Sequence, residues 1–201
     1  MLPATTEICA AFADLFADPL QAGDIEALRA DDALGRLAPL AGWPGCGEPW
    51  QRARAALAAA GGTEAAVSTL NAAFCRLFLG VGGPAQSAPP YQSAYVGTGR
   101  LFAEPETEMA AMLARHGLVV QDNEAADHLA VELLALSALL AAGDPEAAAL
   151  HARIAGWLPD FAAACAAGDA SGFYAALAAL LFAFLAALNA ELPPGAASDR
   201  T

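Results

Sequence analysis

Apolar residues recur along most of this chain at the 3.6-residue spacing of an α-helix, and the breaks between periodic runs fall on Gly, Pro and Asp. Ile8, Phe12, Leu15 and Phe16 share one helical face, with Thr5 or Thr6 positioned to cap it and Asp18-Pro19 to end it. Asp24 predicts the next cap, and Ile25, Leu28 and Leu34 carry a second helix towards Pro39. A turn-rich stretch from Gly42 to Gly47 leads to a third helix over about Glu48 to Ala60. Gly61-Gly62-Thr63 then stops one helix and caps a fourth, in which Val67, Leu70, Phe74, Leu77 and Phe78 recur until Gly80.

The stretch from Val81 to Pro90 holds three Pro, two Gly and no charge, so it cannot be a regular helix or a central strand. Beyond it, Glu104-Pro105 opens a helix through Met109, Met112 and Leu113 to His116-Gly117, with acidic residues in the first turn as the helix dipole favours. The pattern predicts another helix from near Asp122 or Asn123 through Leu129, Leu133, Leu136 and Leu140 to Gly143. Asp144-Pro145 opens the next, and the apolar run Phe173 to Leu188 closes the fold. The expected architecture is all-α: a helical bundle of two helical parts, 1–80 and 91–192, joined by an 81–90 hinge and followed by a flexible 193–201 tail.

Composition narrows the function. With 57% hydrophobic residues in 201 the chain can build a real core, and a net charge of −13 with no Lys would repel phosphate backbones, which excludes nucleic acid as the expected partner and favours a basic one. Cys9, Cys46, Cys75 and Cys165 lack C-x-x-C spacing, so they read as packed thiols rather than a zinc or redox site. The N-terminus carries Glu7 and Asp14 and no basic region, unlike a secretory signal, which points to the cytoplasm. The sixteen residues Phe173 to Leu188 would span roughly 24 Å, short of the ~30 Å hydrocarbon core, and Asp169 and Glu191 flank them, so a buried helix is expected and no stable membrane insertion.

Read as part of one helix, Glu124, Asp127, His128 and Glu132 fall on a single polar arc beside the leucine stripe. Between Glu104 and Glu132 seven carboxylates face one Arg115, a balance of −6. A solvated helix face is one reading of that arc. A surface for a cationic ligand is another, because carboxylate contacts to guanidinium are charge-assisted and can be bidentate. A metal site is the weakest, since Glu124-x-x-Asp127 leaves His128 one place off the Glu-x-x-His spacing of di-iron bundles. Gly80 to Gly83 and Gly97 to Gly99 lack the G-x-x-x-x-G-K-S/T pattern, no nucleophile-base pair is marked, and no cofactor is expected.

Three blocks resemble a known family. Asn123 to Leu133 is similar to the E-x-x-D-H-L-x-x-E-L signature of the TorD/DmsD/NarJ family of redox-enzyme maturation chaperones. Phe74-Cys-Arg-Leu77-Phe78-Leu-Gly80 and Ala88-Pro89-Pro90-Tyr91-Gln92-Ser93-Ala94-Tyr95 resemble its aromatic-x-x-L-F-x-G and P-P-Y-E/G-S-V-Y blocks in the same order. Gln92 stands where many members have Glu, and Ala125-Ala126 replaces a frequent Pro-acidic pair. The resemblance implies an all-α, non-enzymatic cytoplasmic chaperone that binds the twin-arginine signal peptide and apo form of a molybdoenzyme and delays Tat export until the cofactor is inserted. It also implies that some members form domain-swapped homodimers. Weak guanine-nucleotide binding is associated with the family, but no phosphate site is visible in this sequence.

A twin-arginine signal pairs two arginines with an apolar stretch, so its groove needs an acidic end and an apolar wall. Glu124, Asp127 and Glu132 are the expected acidic end, with His128 orienting Asp127 or donating to a peptide carbonyl. Phe74, Leu77 and Phe78, mainly core with an edge reaching the groove, form the expected wall with Pro90, Tyr91, Ser93 and Tyr95, the tyrosines being exposed. Burying ~300 Å² of apolar surface there would contribute roughly 7 kcal/mol before ordering costs. The alternative is a nucleotide- or metal-dependent helical enzyme.

Overall fold

A computed structural model describes residues 2–32, 34–81, 83–97, 104–120, 124–190 and 192. Eight α-helices run through them: α1 (Leu2–Ala17), α2 (Ala22–Arg29), α3 (Gly47–Ala59), α4 (Thr63–Leu77), α5 (Glu104–Arg115), α6 (Leu129–Ala142), α7 (Glu146–Gly168) and α8 (Phe173–Asn189). The one β-type pairing among the described residues is an isolated antiparallel bridge between Tyr91 and His128. The fold is therefore all-α, as the periodicity predicts.

Several boundaries depart from the sequence reading. α1 begins at Leu2, so Thr5 and Thr6 lie inside it; a Pro in the first turn, as at position 3, is compatible with helix. α2 is capped from within, the Asp24 carboxylate accepting the Gln21 backbone N–H at 2.7 Å, so Asp24 acts from the third helical position. It stops at Arg29, where Ala30 turns extended (φ −54°, ψ 128°) and Asp31 takes a left-handed backbone (φ 53°), so the buried Leu34, itself left-handed (φ 53°), lies beyond the helix. α4 ends at Leu77 rather than Gly80: the Leu77 carbonyl accepts the Ala88 N–H at 2.7 Å and the Ser87 hydroxyl at 3.2 Å. Among the described residues of the 81–90 connection, which leave out 82, the one helical turn is 3-10, at Pro84–Gln86, and Gln86 lies close against the end of α7, where a Cβ on Gly168 would come within 2.7 Å of its carbonyl. The 193–201 tail lies outside the described residues.

α1 packs on α6, and α8 packs on both α7 and α3, so helices from before and after the 81–90 connection share one core. Phe78 sits within an aromatic cluster, its ring centroid 5.0 Å from Phe74, 5.2 Å from Tyr174, 5.8 Å from Phe16 and 6.0 Å from Phe161. These are the edge-on and offset separations at which ring quadrupoles attract. α8 is apolar nearly all round because α3 and α7 cover it, and no described helix is long and apolar enough to cross a membrane.

Candidate functional site

The site forms where residues 90–93 meet residues 127–129. Gln92 N–H donates to the Asp127 carbonyl at 3.0 Å and Leu129 N–H to the Pro90 carbonyl at 2.8 Å, on either side of the Tyr91–His128 bridge. The Asp127 carboxylate accepts the Ser93 N–H at 2.9 Å. These long-range bonds occupy the backbone that a helix would use, so α6 starts at Leu129 and not near Asp122 or Asn123, which lie outside the described residues. His128 is its N-cap, with Nδ1 accepting the Ala130 N–H at 3.1 Å.

The predicted polar arc is thereby corrected. Glu124, Asp127 and His128 precede the helix, and Asp127, His128 and Glu132 are buried; of the four only Glu124 is exposed. Phe74, Leu77 and Phe78 are also buried in the core, away from this surface. Tyr91 and Tyr95 are half-buried rather than exposed, and Ser93 and Pro90 are buried. What the structure does bring together is the two sequence blocks: Tyr91 lies edge-on to His128 with centroids 4.9 Å apart, and its hydroxyl donates to Glu124 at 3.2 Å.

Behind this junction Glu132 is wholly buried. Its carboxylate accepts from Trp157 Nε1 at 3.1 Å and meets Arg153 at 3.4 Å. Burial pushes its pKa up to about 8, against the opposing pull of Arg153 and Trp157. Arg153 also donates to Glu108 at 3.0 Å and to the Pro105 carbonyl at 2.5 Å, clasping α5 to α7. Tyr95 stacks on Trp157, centroids 5.5 Å apart. Arg153 and Trp157 escaped the sequence reading, although their i, i+4 spacing puts them on one face of α7.

Burial holds the His128 pKa below its ordinary value, while Glu124, Asp127 and Asp18 pull the other way. Because Nδ1 is engaged as an acceptor, the neutral ring carries its proton on Nε2. His128 lines a groove of about 470 Å³ between the end of α1, the end of α5 and the start of α6. Asp18 and Glu124 supply carboxylates to it, and Leu113, Leu118, Val119, Val131 and Leu134 supply apolar surface. Val119 is 85% exposed and Leu134 50%. An acidic end and an apolar wall thus stand together, drawn largely from residues other than those predicted. Among the described residues no group of three His, Cys, Asp or Glu is arranged to hold a metal.

Comparison with known proteins gives a consistent picture. A family model described as nitrate reductase delta subunit matches residues 44–163. The chaperone protein TorD of Photobacterium profundum is 34% identical over 186 residues, covering 85% of each chain. The chaperone protein TorD of Vibrio cholerae is 37% identical over 131 residues, covering 58% of this chain and 59% of its own. A crystal structure described as a redox enzyme maturation protein from Archaeoglobus fulgidus superposes with a TM-score of 0.57 at 21% identity, over 88% of this chain and 92% of the other, a likeness of fold.

Proposed function

We infer the function from one premise, that this chain belongs to the nitrate reductase delta subunit family, with curated TorD chaperones among its relatives: it is a maturation chaperone for a molybdoenzyme. We propose that it acts in the cytoplasm, holding the apo enzyme and its twin-arginine signal peptide until the cofactor is in place. The observation that carries the peptide reading is the groove beside His128, where Asp18 and Glu124 stand next to the exposed apolar side chains of Val119 and Leu134. Guanidinium groups fit the first and an apolar helix the second. The Nε2–H of His128 can donate to a peptide carbonyl in the same groove. Tyr91, through its bond to Glu124, orients that carboxylate. Asp127, Glu132, Ser93 and Tyr95 act from behind, fixing the groove wall instead of touching the peptide.

The 81–90 connection divides the chain into the two helical parts, 1–80 and 91–192, and where two copies pair it is the point at which those parts can exchange without loss of their contacts. The test of the main reading is fluorescence anisotropy with a labelled twin-arginine signal peptide from the host's molybdoenzymes. Saturable binding that weakens on Arg-Arg to Gln-Gln replacement and at higher salt is expected; binding indifferent to both would contradict it.

A further inference from the structure

We propose that a proton on His128 and an arginine of the signal peptide compete for the same carboxylates, so that protonation of His128 releases the peptide; this rests on the signal-peptide reading above and adds a means of discharge to it. His128 is the N-cap of α6, and its Nδ1 accepts the Ala130 N–H at 3.1 Å. That bond needs a lone pair on Nδ1, which only the neutral ring has. A second proton on the ring turns Nδ1 into a donor facing a donor, so the cap is lost and the ring is released from the start of α6. Val131 and Leu134, which line the groove from the first turns of that helix, then lose support at their N-terminal side.

The groups around the ring decide where the new charge goes. Asp18 follows α1, Glu124 and Asp127 precede α6, and all three attract a proton on His128 against the burial that disfavours it. Tyr91 meets the ring edge-on, and its hydroxyl donates to Glu124 at 3.2 Å. Further along α6, Glu132 is turned to Arg153 and Trp157. Arg115 and His116, at the end of α5, are engaged with Glu146. Among the described residues no Arg lines the groove, so of its lining His128 is the side chain that can become a cation.

Linkage then fixes the sign. A guanidinium set between Asp18 and Glu124 cancels the attraction those carboxylates exert on the His128 proton, so bound peptide drives the proton off. Coupling between two ligands is reciprocal, so a proton on His128 drives off the peptide by the same factor. Affinity is therefore full while the ring is neutral and falls as pH drops through its titration.

The experiment uses the full chain and a synthetic twin-arginine signal peptide, with Kd measured by fluorescence anisotropy from pH 7.5 to 5.5. Circular dichroism at each pH restricts the comparison to folded protein. The wild type should bind about ten-fold more weakly at the acid end, within the usual range of such couplings. In His128→Asn the side-chain oxygen still caps α6 and the amide still donates, so its Kd should stay nearly constant. Asp18 and Glu124 are untouched in that variant, so any slope it keeps is theirs. In the wild type, NMR of the histidine rings should show saturating peptide moving the His128 titration to lower pH. A wild-type Kd independent of pH, a slope kept in full by His128→Asn, or a His128 titration that peptide does not lower would overturn the competition and leave the chaperone reading intact. Absence of saturable peptide binding by the wild type at pH 7.5 would overturn both.

Discussion

Ser93 donates its backbone N–H to the buried carboxylate of Asp127 at 2.9 Å, although the two are 34 positions apart. With the Gln92 and Leu129 bonds on either side, this contact makes a single hydrogen-bonded unit of two segments that are both rich in polar residues. One consequence is that Asp127 stabilises the fold. Asp127→Ala should lower stability by about 2 to 4 kcal/mol, the cost of leaving a buried N–H unsatisfied and a void beside it. Asp127→Asn, whose carbonyl can still accept from Ser93, should lose less than half of that. Denaturant unfolding followed by circular dichroism measures both.

The Asp127 correction also shows what the sequence could reveal. Helix periodicity located α3, α5 and α8 and the start of α7 to within a few residues, because their apolar stripes are buried by neighbours and their ends carry Gly, Pro or Asp. The start of α6 was misread because Glu124-Ala-Ala-Asp-His continues the helical pattern well. What overrides it is the pairing of 127–129 with 90–93, a contact at long range that local spacing cannot register. Phe74 and Phe78 were correctly placed on an apolar face, yet that face turns inward to Phe16 and Phe161. Asp18 read only as a helix stop, since its importance depends on α5 and α6 arriving beside it.

Glu132 makes stability depend on pH. Its folded pKa, raised to about 8 by burial, lies above its ordinary value of 4.5, so between these pH values the folded chain holds a proton that the unfolded chain releases. Stability from this group is therefore lost as pH rises through that window, by the order of a few kcal/mol. Glu132→Gln should flatten the slope, since a neutral amide oxygen can still accept from Trp157. Thermal melts at pH 5, 7 and 9 on both proteins check it; parallel pH profiles would refute the assignment.

Arg153→Ala should show the opposite pattern. At pH 9 it removes the cation that holds the buried Glu132 carboxylate ionised, so that group is either left charged with Trp157 as its remaining partner or must take up a proton, a loss of about 3 to 5 kcal/mol, whereas at pH 6 the carboxyl is already protonated and the loss should fall below half of that. Because Arg153 also clasps Pro105 and Glu108, hydrogen exchange should speed up across 104–115 at both pH values.

Phe78→Ala should cost about 3 to 5 kcal/mol, since it removes a buried ring packed on four others. Phe182→Ala, on the 45% exposed outer face of α8, should stay within about 1 kcal/mol of wild type. Chemical denaturation midpoints separate the two.

A basic-then-apolar signal peptide lying in the groove beside His128 must rest on Leu134, so Leu134→Glu should disrupt its binding. Leu134 is half exposed, so the substitution should leave the melting temperature nearly unchanged while placing a carboxylate on the apolar wall. Isothermal titration calorimetry of the wild type and Leu134→Glu with the client's twin-arginine peptide should give at least a roughly ten-fold weaker Kd for the variant, from the desolvated charge facing the apolar stretch. An unchanged Kd in a folded Leu134→Glu protein would contradict the account and move the peptide to another face of the molecule.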